Sequence, residues 1–246
     1  MRIRSTHLAA AVTAGALLLG GIPASGVAGA GEPPPAFEAE YVVKYGRMTL
    51  GEGRFELDYP ETDRYTYRLE IEPRGLARMF LRGGVTEEST GRVVDGRLQP
   101  ERYTYERTGS RERTNTVTFD HDAGRATFNG GSRIDLEEGE VFDRLVPQVL
   151  LMTDLAGLDG DEITYRVADD EELRDYTMRR SSADPVEVEA GRFDVTEVER
   201  VRSGSDRTTR IWVAPELQYL PVKGEHESGG RTLTLELRRL EGPLAP

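Results

Sequence analysis

The chain has 246 residues, of which 44 are acidic, 32 are basic and none is cysteine, so its formal net charge is −12. This excess of carboxylates disfavours nucleic acids and anionic membrane surfaces as global partners, because both carry negative charge. Without cysteine the chain forms no disulfide, no thiolate metal site, no thiol nucleophile and no lipid anchor on a cysteine.

The first 30 residues are typical of an export signal. Arg2 and Arg4 give a positive start, residues 8–21 are uncharged and largely apolar, and residues 28–30 (Ala-Gly-Ala) form a small-residue cleavage site. The apolar run is too short to span a bilayer comfortably. We therefore expect a cleaved signal peptide over 1–30, a location in the periplasm, no integral membrane segment after processing, and a monomeric mature protein.

A proline-rich extended leader over 31–35 precedes a long series of predicted strands, which we assign to a single β-rich domain over 36–243. Asp95-Gly96 is a residue pair typical of tight hairpin turns. A phase slip after Val195 predicts a β-bulge. Apolar and polar residues alternate, as in strands with one buried face, over 37–45, 55–59, 65–71, 103–105, 117–119, 126–128, 163–167, 176–178, 186–201, 211–213, 220–222 and 233–237.

The alternation breaks once, over 142–155, where the apolar spacing is helical. Because Pro147 is tolerated only in the first turn of a helix, we expect the helix to start near Leu145 or Val146. Its apolar residues fall on one stripe that would face the sheet, namely Leu145, Val149, Leu150 and Met152. The helix, or the neighbouring 74–84 segment, is the element that we expect to open and close over a bound ligand.

These elements predict an all-β, mainly antiparallel fold. About a dozen strands with one apolar face must cover that face, and a long sheet does so by curling on itself. We expect a large curved sheet that closes into a barrel or half-barrel, with one short helix packed against it.

The sequence contains few residues in patterns typical of a catalytic or metal-binding site. His121 and His226 are the histidines outside the signal, and neither lies beside a nucleophile motif. The turn 120–122 (Asp-His-Asp) and the acidic runs 137–140 and 169–172 carry metal-binding atoms, but the runs lack the alternating spacing with which a loop wraps calcium. We predict a solvated turn at 120–122, charged loops with a tendency to disorder at the two acidic runs, no metal, no cofactor and no catalytic residue, hence a protein that is not an enzyme.

The 74–84 segment carries Arg74, Arg78 and Arg82 at four-residue spacing. As a short helix it would form a basic amphipathic lip that touches lipid headgroups or guards a cavity mouth. As a turn and short strand, its arginines would pair with acidic neighbours. We favour the second interpretation, because about a dozen residues bracketed by proline and glycine are marginal as a helix.

The aromatic residues of the alternating face either fill a core or line a ligand cavity, since an inward face is apolar in both cases. The candidates for lining such a cavity, together with residues from the helix and the C-terminal strands, are Tyr41, Tyr65, Tyr67, Tyr103, Tyr105, Leu145, Val149, Met152 and Trp212.

Nearly the whole mature chain resembles the domain-of-unknown-function 3108 (DUF3108) family of exported bacterial proteins. The likeness is carried by AEYVVKYGRMTLGEG near the start, by EESTGRVVDGRLQPERYTYER, and above all by IWVAPELQYLPVKGE. The last segment holds the structural motif Trp212, Leu220, Pro221 and Val222. It is also similar to the Trp-to-Pro strand pair of lipoprotein-sorting half-barrels of the LolA and LolB type, which carry acyl chains through the periplasm. The family resemblance implies localisation and fold more than activity.

Export, a one-faced sheet and the half-barrel likeness together favour a non-enzymatic periplasmic β protein that binds a lipid, a lipoprotein moiety or another amphipathic envelope component. One alternative is a packed structural module of the envelope that binds a protein partner through a strand edge or its acidic face. The other is a hydrolase of envelope polymers that uses paired carboxylates. Whether the barrel is hollow or filled decides between the first two.

Overall fold

The computed structural model of the protein describes residues 32–75, 77, 83–109, 112–136, 139–201 and 207–245. The predicted signal peptide over 1–30, Arg78 and Arg82 of the basic segment, and Glu137 and Glu138 of the first acidic run lie outside these residues. Within the described ranges, no helix combines the length and the apolar character needed to cross a bilayer.

The described residues form seventeen strands, numbered here along the chain. Strands β1 to β6 are Phe37–Tyr45, Met48–Glu61, Arg64–Pro73, Val85–Val94, Arg97–Arg107 and Arg113–Asp120. Strands β7 to β11 are Arg125–Phe128, Arg133–Asp135, Val141–Phe142, Glu162–Asp169 and Glu172–Ser182. Strands β12 to β17 are Val186–Val188, Gly191–Phe193, Thr196–Arg200, Thr208–Ala214, Leu220–Ser228 and Arg231–Glu241. Helix α1 is Pro147–Asp154, and a short 3-10 turn spans Pro215–Leu217.

Fifteen strands form one sheet in the order β8-β7-β6-β5-β4-β3-β2-β1-β17-β16-β15-β14-β11-β10-β9. Its neighbours pair antiparallel, with the exception of β9, which pairs parallel with β10. The predicted all-β, mainly antiparallel fold with a large curved sheet is confirmed. The sheet is barrel-like but not closed, because β8 and β9 remain as its two edges.

The two-residue period of the sequence separates an inner from an outer face. In β1, Ala39 and Tyr41 are buried against the core, whereas Glu40 is half-buried on the outer face. There Arg238 of β17 reaches Glu40 at 2.9 Å and Glu52 of β2 at 2.8 Å. Such exposed cross-strand pairs contribute modestly, about 1 kcal/mol or less each, so the buried face carries most of the stability.

Helix α1 belongs to the hydrophobic core that the curved sheet encloses. It begins within two residues of the predicted start. The predicted stripe is too narrow, because Val146 and Leu151, which lie outside it, are as deeply buried as Val149. A helix that is apolar on nearly all sides is typical of a core element. This burial favours a structural plug over the movable lid expected from the sequence.

Two local predictions have different outcomes. The Asp95-Gly96 turn joins β4 to β5 with φ angles of +50° and +78°, which confirms the hairpin. The phase slip after Val195, in contrast, marks no simple bulge. Residues 186–201 form three strands, and β12 and β13 pair with each other as a separate hairpin. The Ala190 N–H donates to the Leu237 carbonyl oxygen at 3.1 Å, which fastens this hairpin to β17.

Candidate functional site

An apolar cavity of about 160 Å³ lies on the inner face of the sheet beside α1. This volume is close to the ~150 Å³ that accommodates a single benzene ring in an engineered apolar cavity, and it lies below the ~300 Å³ at which drug-sized sites begin. The residues lining it on β1, β2, α1 and β15 to β17 are Tyr41, Phe55, Gln148, Thr209, Arg210, Ile211, Pro221, Gly224, Glu225, His226 and Leu235.

Strand register explains why the cavity forms at this place. Ile211 faces Gly224, Gly224 faces Leu235, and Leu235 faces Val43, so these four residues form one row across four neighbouring strands. Gly224 interrupts the row of apolar side chains, and a Cβ atom built on it meets no other atom within 4 Å. The space that a side chain would occupy at Gly224 is therefore part of the cavity.

The cavity has an apolar body and one polar edge. In the body, the rings of Tyr41 and Phe55 meet edge to face with centroids 4.8 Å apart, and the Tyr41 hydroxyl donates to the Pro221 carbonyl oxygen at 2.7 Å. Burial raises the pKa of the Tyr41 hydroxyl well above its ordinary value, so this group remains a neutral donor. At the polar edge, Thr209 Oγ1 and His226 Nδ1 are hydrogen-bonded at 3.0 Å.

A second cleft, of about 210 Å³, lies between β6–β7 and the turn that joins β10 to β11. Polar contacts bridge the two sides, since the Ser132 hydroxyl donates to Glu171 at 2.7 Å and Arg113 lies 3.8 Å from Asp170. Arg144 lies in its lining. This cleft lies where the sheet fails to close, and its lining holds more charged residues than the lining of the apolar cavity does.

A buried carboxylate fixes the chain at the entry to α1. Asp143 is fully buried, and its Oδ1 accepts hydrogen bonds from the backbone N–H groups of Leu145 at 2.8 Å and Val146 at 3.0 Å. Its Oδ2 accepts a hydrogen bond from the Ser89 hydroxyl, which also bonds to Tyr65 at 2.9 Å. Burial raises the pKa of Asp143 to about 6, against the lowering effect of these hydrogen bonds.

The far end of α1 is fixed in the same manner. Asp154 pairs with Arg97 of β5 at 2.7 Å and accepts a hydrogen bond from the Tyr165 hydroxyl of β10 at 3.0 Å. Between the two ends, the Tyr67 hydroxyl donates to Gln148 at 3.2 Å. Polar contacts to four different strands therefore hold the helix in the position that closes one side of the cavity.

The structure brings few of the predicted lining residues to the cavity. Tyr41 lines it, and Tyr103 lines the second cleft, where its hydroxyl donates to Glu87 at 2.5 Å. Tyr105 is half-buried, with the Arg144 guanidinium 5.8 Å from its ring centroid. The remaining candidates on the inner face are buried in the core, namely Tyr65, Tyr67, Leu145, Val149 and Met152.

The C-terminal motif divides between the two faces of the sheet. Trp212 is half-buried on the outer face, opposite Glu197 of β14, and Lys223 Nζ lies 4.5 Å from its ring centroid. Alternation explains this, because its neighbours Ile211 and Val213 face inward. Within the same motif Leu220 and Val222 are buried, while Pro221 lines the cavity.

Several lining residues escaped the sequence analysis. Alternation in the sequence identifies Phe55, Ile211 and Leu235 as inward-facing apolar residues. It does not distinguish residues that line a cavity from residues that fill the core. For Gly224 the indication was weaker: a glycine at an inward position of a strand often marks a close approach of another group or an open space. His226 lies in a charged stretch over 223–230, and nothing in the sequence connected it with the apolar face.

Within the ranges that the structure describes, no group of three or more histidine, aspartate and glutamate side chains is placed to hold a metal ion. The 120–122 segment forms a turn, in which the Asp120 carboxylate accepts a hydrogen bond from the Ala123 N–H at 2.9 Å. His121 Nε2 lies 2.6 Å from the Pro100 carbonyl oxygen. The acidic run at 169–172 joins β10 to β11, and its carboxylates pair with Arg174.

Two solved structures are similar to this chain at low sequence identity. A β-barrel-like protein of domain of unknown function DUF1849 from Brucella abortus aligns with a TM-score of 0.54 and 10% identity, over 86% of this chain and 99% of that chain. The hypothetical protein CT021 from Chlamydia trachomatis aligns with a TM-score of 0.35 and 8% identity, over 87% and 90% of the two chains. The first likeness supports a β-barrel-like fold. Neither bears on the likeness to lipoprotein-sorting half-barrels, which stays a prediction.

No curated protein matches the sequence. A family model described as a protein of unknown function, DUF3108, matches residues 40–238. The match extends from β1 to β17 and includes all the lining residues of the apolar cavity. The chain therefore belongs to the DUF3108 family, as its sequence motifs predicted.

Proposed function

We propose that this protein is a non-enzymatic periplasmic binding protein, which holds the apolar part of a lipid or another amphipathic envelope molecule in the cavity beside α1. The observation that carries the proposal is the gap at Gly224, where the inward row of Ile211 and Leu235 leaves apolar walls around open space. The export signal expected over 1–30 supports the periplasmic location.

The cavity volume sets the size of the apolar group and the strength of its binding. A buried methylene contributes about 0.8 kcal/mol, so a segment of about five methylenes contributes about 4 kcal/mol. That free energy alone corresponds to a dissociation constant near 1 mM, to order of magnitude. The cavity therefore selects a short alkyl segment or a single ring, and tight binding requires contacts outside its apolar body.

The inward-facing carboxylates do not favour the hydrolase alternative. Asp143 accepts hydrogen bonds from the backbone just before α1, Asp154 pairs with Arg97, and Glu87 accepts a hydrogen bond from Tyr103. Each of these side chains is engaged in holding the fold together, and none of the three belongs to the lining of the apolar cavity.

A cavity-filling substitution tests the proposal. Gly224 has ordinary backbone angles and room for a side chain, so Gly224→Leu should fold and place four carbon atoms in the cavity. We expect wild-type protein, titrated calorimetrically with linear alcohols of increasing length, to bind more tightly with each methylene until the cavity is full. Gly224→Leu should lose this binding, with thermal unfolding used to confirm that it folds.

The matched control is Gly157→Leu, which adds the same side chain at an exposed glycine with open space around it. The control should bind like the wild type. Equal binding by the wild type and Gly224→Leu would refute the cavity as the binding site. No binding of any alcohol by the wild type would refute the proposal and favour the packed structural module.

A further inference from the structure

We propose that the bound molecule carries an anion, a carboxylate or a phosphate, and that Arg200 at the end of β14 binds it. This inference rests on the proposed function and identifies the chemical class of the ligand as an anionic amphiphile. Its apolar segment would lie in the cavity beside α1, and its charged group would lie at the polar edge.

The position of Arg200 follows from strand register. Val198 is buried and faces Ile211, a lining residue of the cavity, across the pairing of β14 with β15. Arg200 comes two residues later and therefore lies on the same inner face. The last pair of β14 with β15 is Glu199 with Arg210. Continuing this pairing by one residue places Arg200 beside Thr209 of the polar edge, at the ~5 Å spacing of neighbouring strands.

Arg200 is held by an aromatic ring. Its Cζ atom lies 3.2 Å from the ring centroid of Tyr176. Its Nε atom is shielded from solvent and has no hydrogen-bond partner among the described residues. A buried donor without an acceptor is uncommon in folded proteins and points to a group that accepts from it. A guanidinium stacked on a ring keeps the N–H groups along its edge available for a carboxylate or a phosphate.

The carboxylate that is hydrogen-bonded to Tyr176 interacts with other groups. Asp169 accepts a hydrogen bond from the Tyr176 hydroxyl at 2.7 Å, lies 3.5 Å from Arg174, and lies 4.0 Å from Arg144. Within the described residues, Arg200 makes no ion pair with a carboxylate of the protein. An anion brought by a ligand would therefore meet a cation that no carboxylate of the described residues neutralises.

The apolar body of the cavity alone is expected to bind a ligand weakly, so tighter binding requires a further contact, which Arg200 can provide. The charged residues in the lining are Arg210 and Glu225, and Arg210 already pairs with Glu199 at 3.1 Å. With Arg200 beside Thr209, a ligand with a negative head gains charge-assisted hydrogen bonds that a neutral ligand lacks. Carboxylates and phosphates share this chemistry, so fatty acids, phospholipids and free phosphate are distinguished by experiment.

Four probes separate the contribution of the ligand's charged group from that of its alkyl segment. Decanol, decanoate, decyl phosphate and inorganic phosphate would be titrated calorimetrically into the wild-type protein and into Arg200→Gln. We expect the wild type to bind both anionic amphiphiles at least about tenfold more tightly than decanol. Arg200→Gln should lose that preference and retain its affinity for decanol. Arg192→Gln, which removes the same charge from the exposed side of the β12–β13 hairpin, should behave like the wild type.

Each other outcome is decisive. Equal affinity of the wild type for decanol and decanoate would overturn the anionic class while leaving the proposed function intact, whereas binding of no alkyl probe would overturn the proposed function itself. Inorganic phosphate binding as tightly as decyl phosphate would assign Arg200 to a free anion and overturn the amphiphile. If Arg200→Gln unfolds, Arg200→Met replaces it, because methionine keeps an apolar side chain over the Tyr176 ring and removes the charge. An unchanged preference for the anionic probes in that variant would overturn the proposal.

Discussion

Replacing Asp143 by asparagine should remove a pH dependence from the stability of the protein. The carboxyl group is fully buried, and burial raises its pKa from its ordinary 3.8 to about 6. Between these two values the folded protein holds a proton that the unfolded chain has released. The free energy of unfolding therefore falls as the pH rises through this interval, since the carboxyl contributes fully below the lower value and nothing above the higher.

The size of the effect follows from the two pKa values. At about 1.4 kcal/mol for each pH unit, the raised pKa of Asp143 corresponds to about 3 kcal/mol of stability lost between the acid and neutral limits. About 2 kcal/mol of this loss falls between about pH 4 and about pH 7. Asparagine resembles the protonated carboxyl, because its oxygen still accepts from the Leu145 and Val146 N–H groups and its amide donates to Ser89.

The assay is urea denaturation of the wild type and Asp143→Asn at several pH values in this interval. The difference in free energy of unfolding between the two proteins cancels the titration of all other groups. We expect Asp143→Asn to gain about 2 kcal/mol on the wild type as the pH rises from about 4 to about 7. Asp135→Asn, at a side chain that is 95% exposed, controls for the loss of one negative charge.

A difference between the wild type and Asp143→Asn that stays constant with pH would refute this reasoning. It would mean that the hydrogen bonds to Asp143 offset its burial completely. A difference that changes in the opposite direction would mean that these bonds outweigh burial and hold the carboxylate ionised throughout.

Three further predictions concern the free energy or temperature of unfolding. Arg97→Leu leaves the buried Asp154 carboxylate without its cation and should lower the free energy of unfolding by about 3 to 5 kcal/mol in urea; a loss below about 1 kcal/mol would contradict the pair's structural role. Trp212→Ala should cost only about 1 to 2 kcal/mol, because the ring is half-buried on the outer face, whereas a core ring would cost about 3 to 5. Gly51→Ala would place a Cβ atom 1.9 Å from a backbone oxygen of β3 and should lower the melting temperature sharply. Gly53→Ala is the matched control, because its Cβ atom would have its nearest contact at 3.5 Å and should leave the melting temperature nearly unchanged. Equal shifts of the melting temperature in the two variants would contradict this geometry.

The local structure of this protein was predictable where it depends on neighbours in sequence. The alternation of Ala39 and Tyr41 with glutamates identifies both the strand and its buried face, because successive side chains of a strand point to opposite sides. The Asp95-Gly96 turn was equally predictable from the sequence, since the positive φ angles of such a turn favour these residue types. The family followed from motifs distributed over the length of the chain.

The functional features depended on what lies across the curved sheet. Alternation shows that Ile211 and Leu235 face inward, but it does not show that Gly224 separates them and leaves a gap. Likewise, the spacing of α1 indicates a stripe, while its burial on nearly all sides results from its enclosure in the core of the curved sheet. The sequence by itself determined the strands, the buried face and the family. Only the tertiary structure decided where that face is filled, where it is hollow and where Arg200 lies, because side chains far apart in sequence meet there.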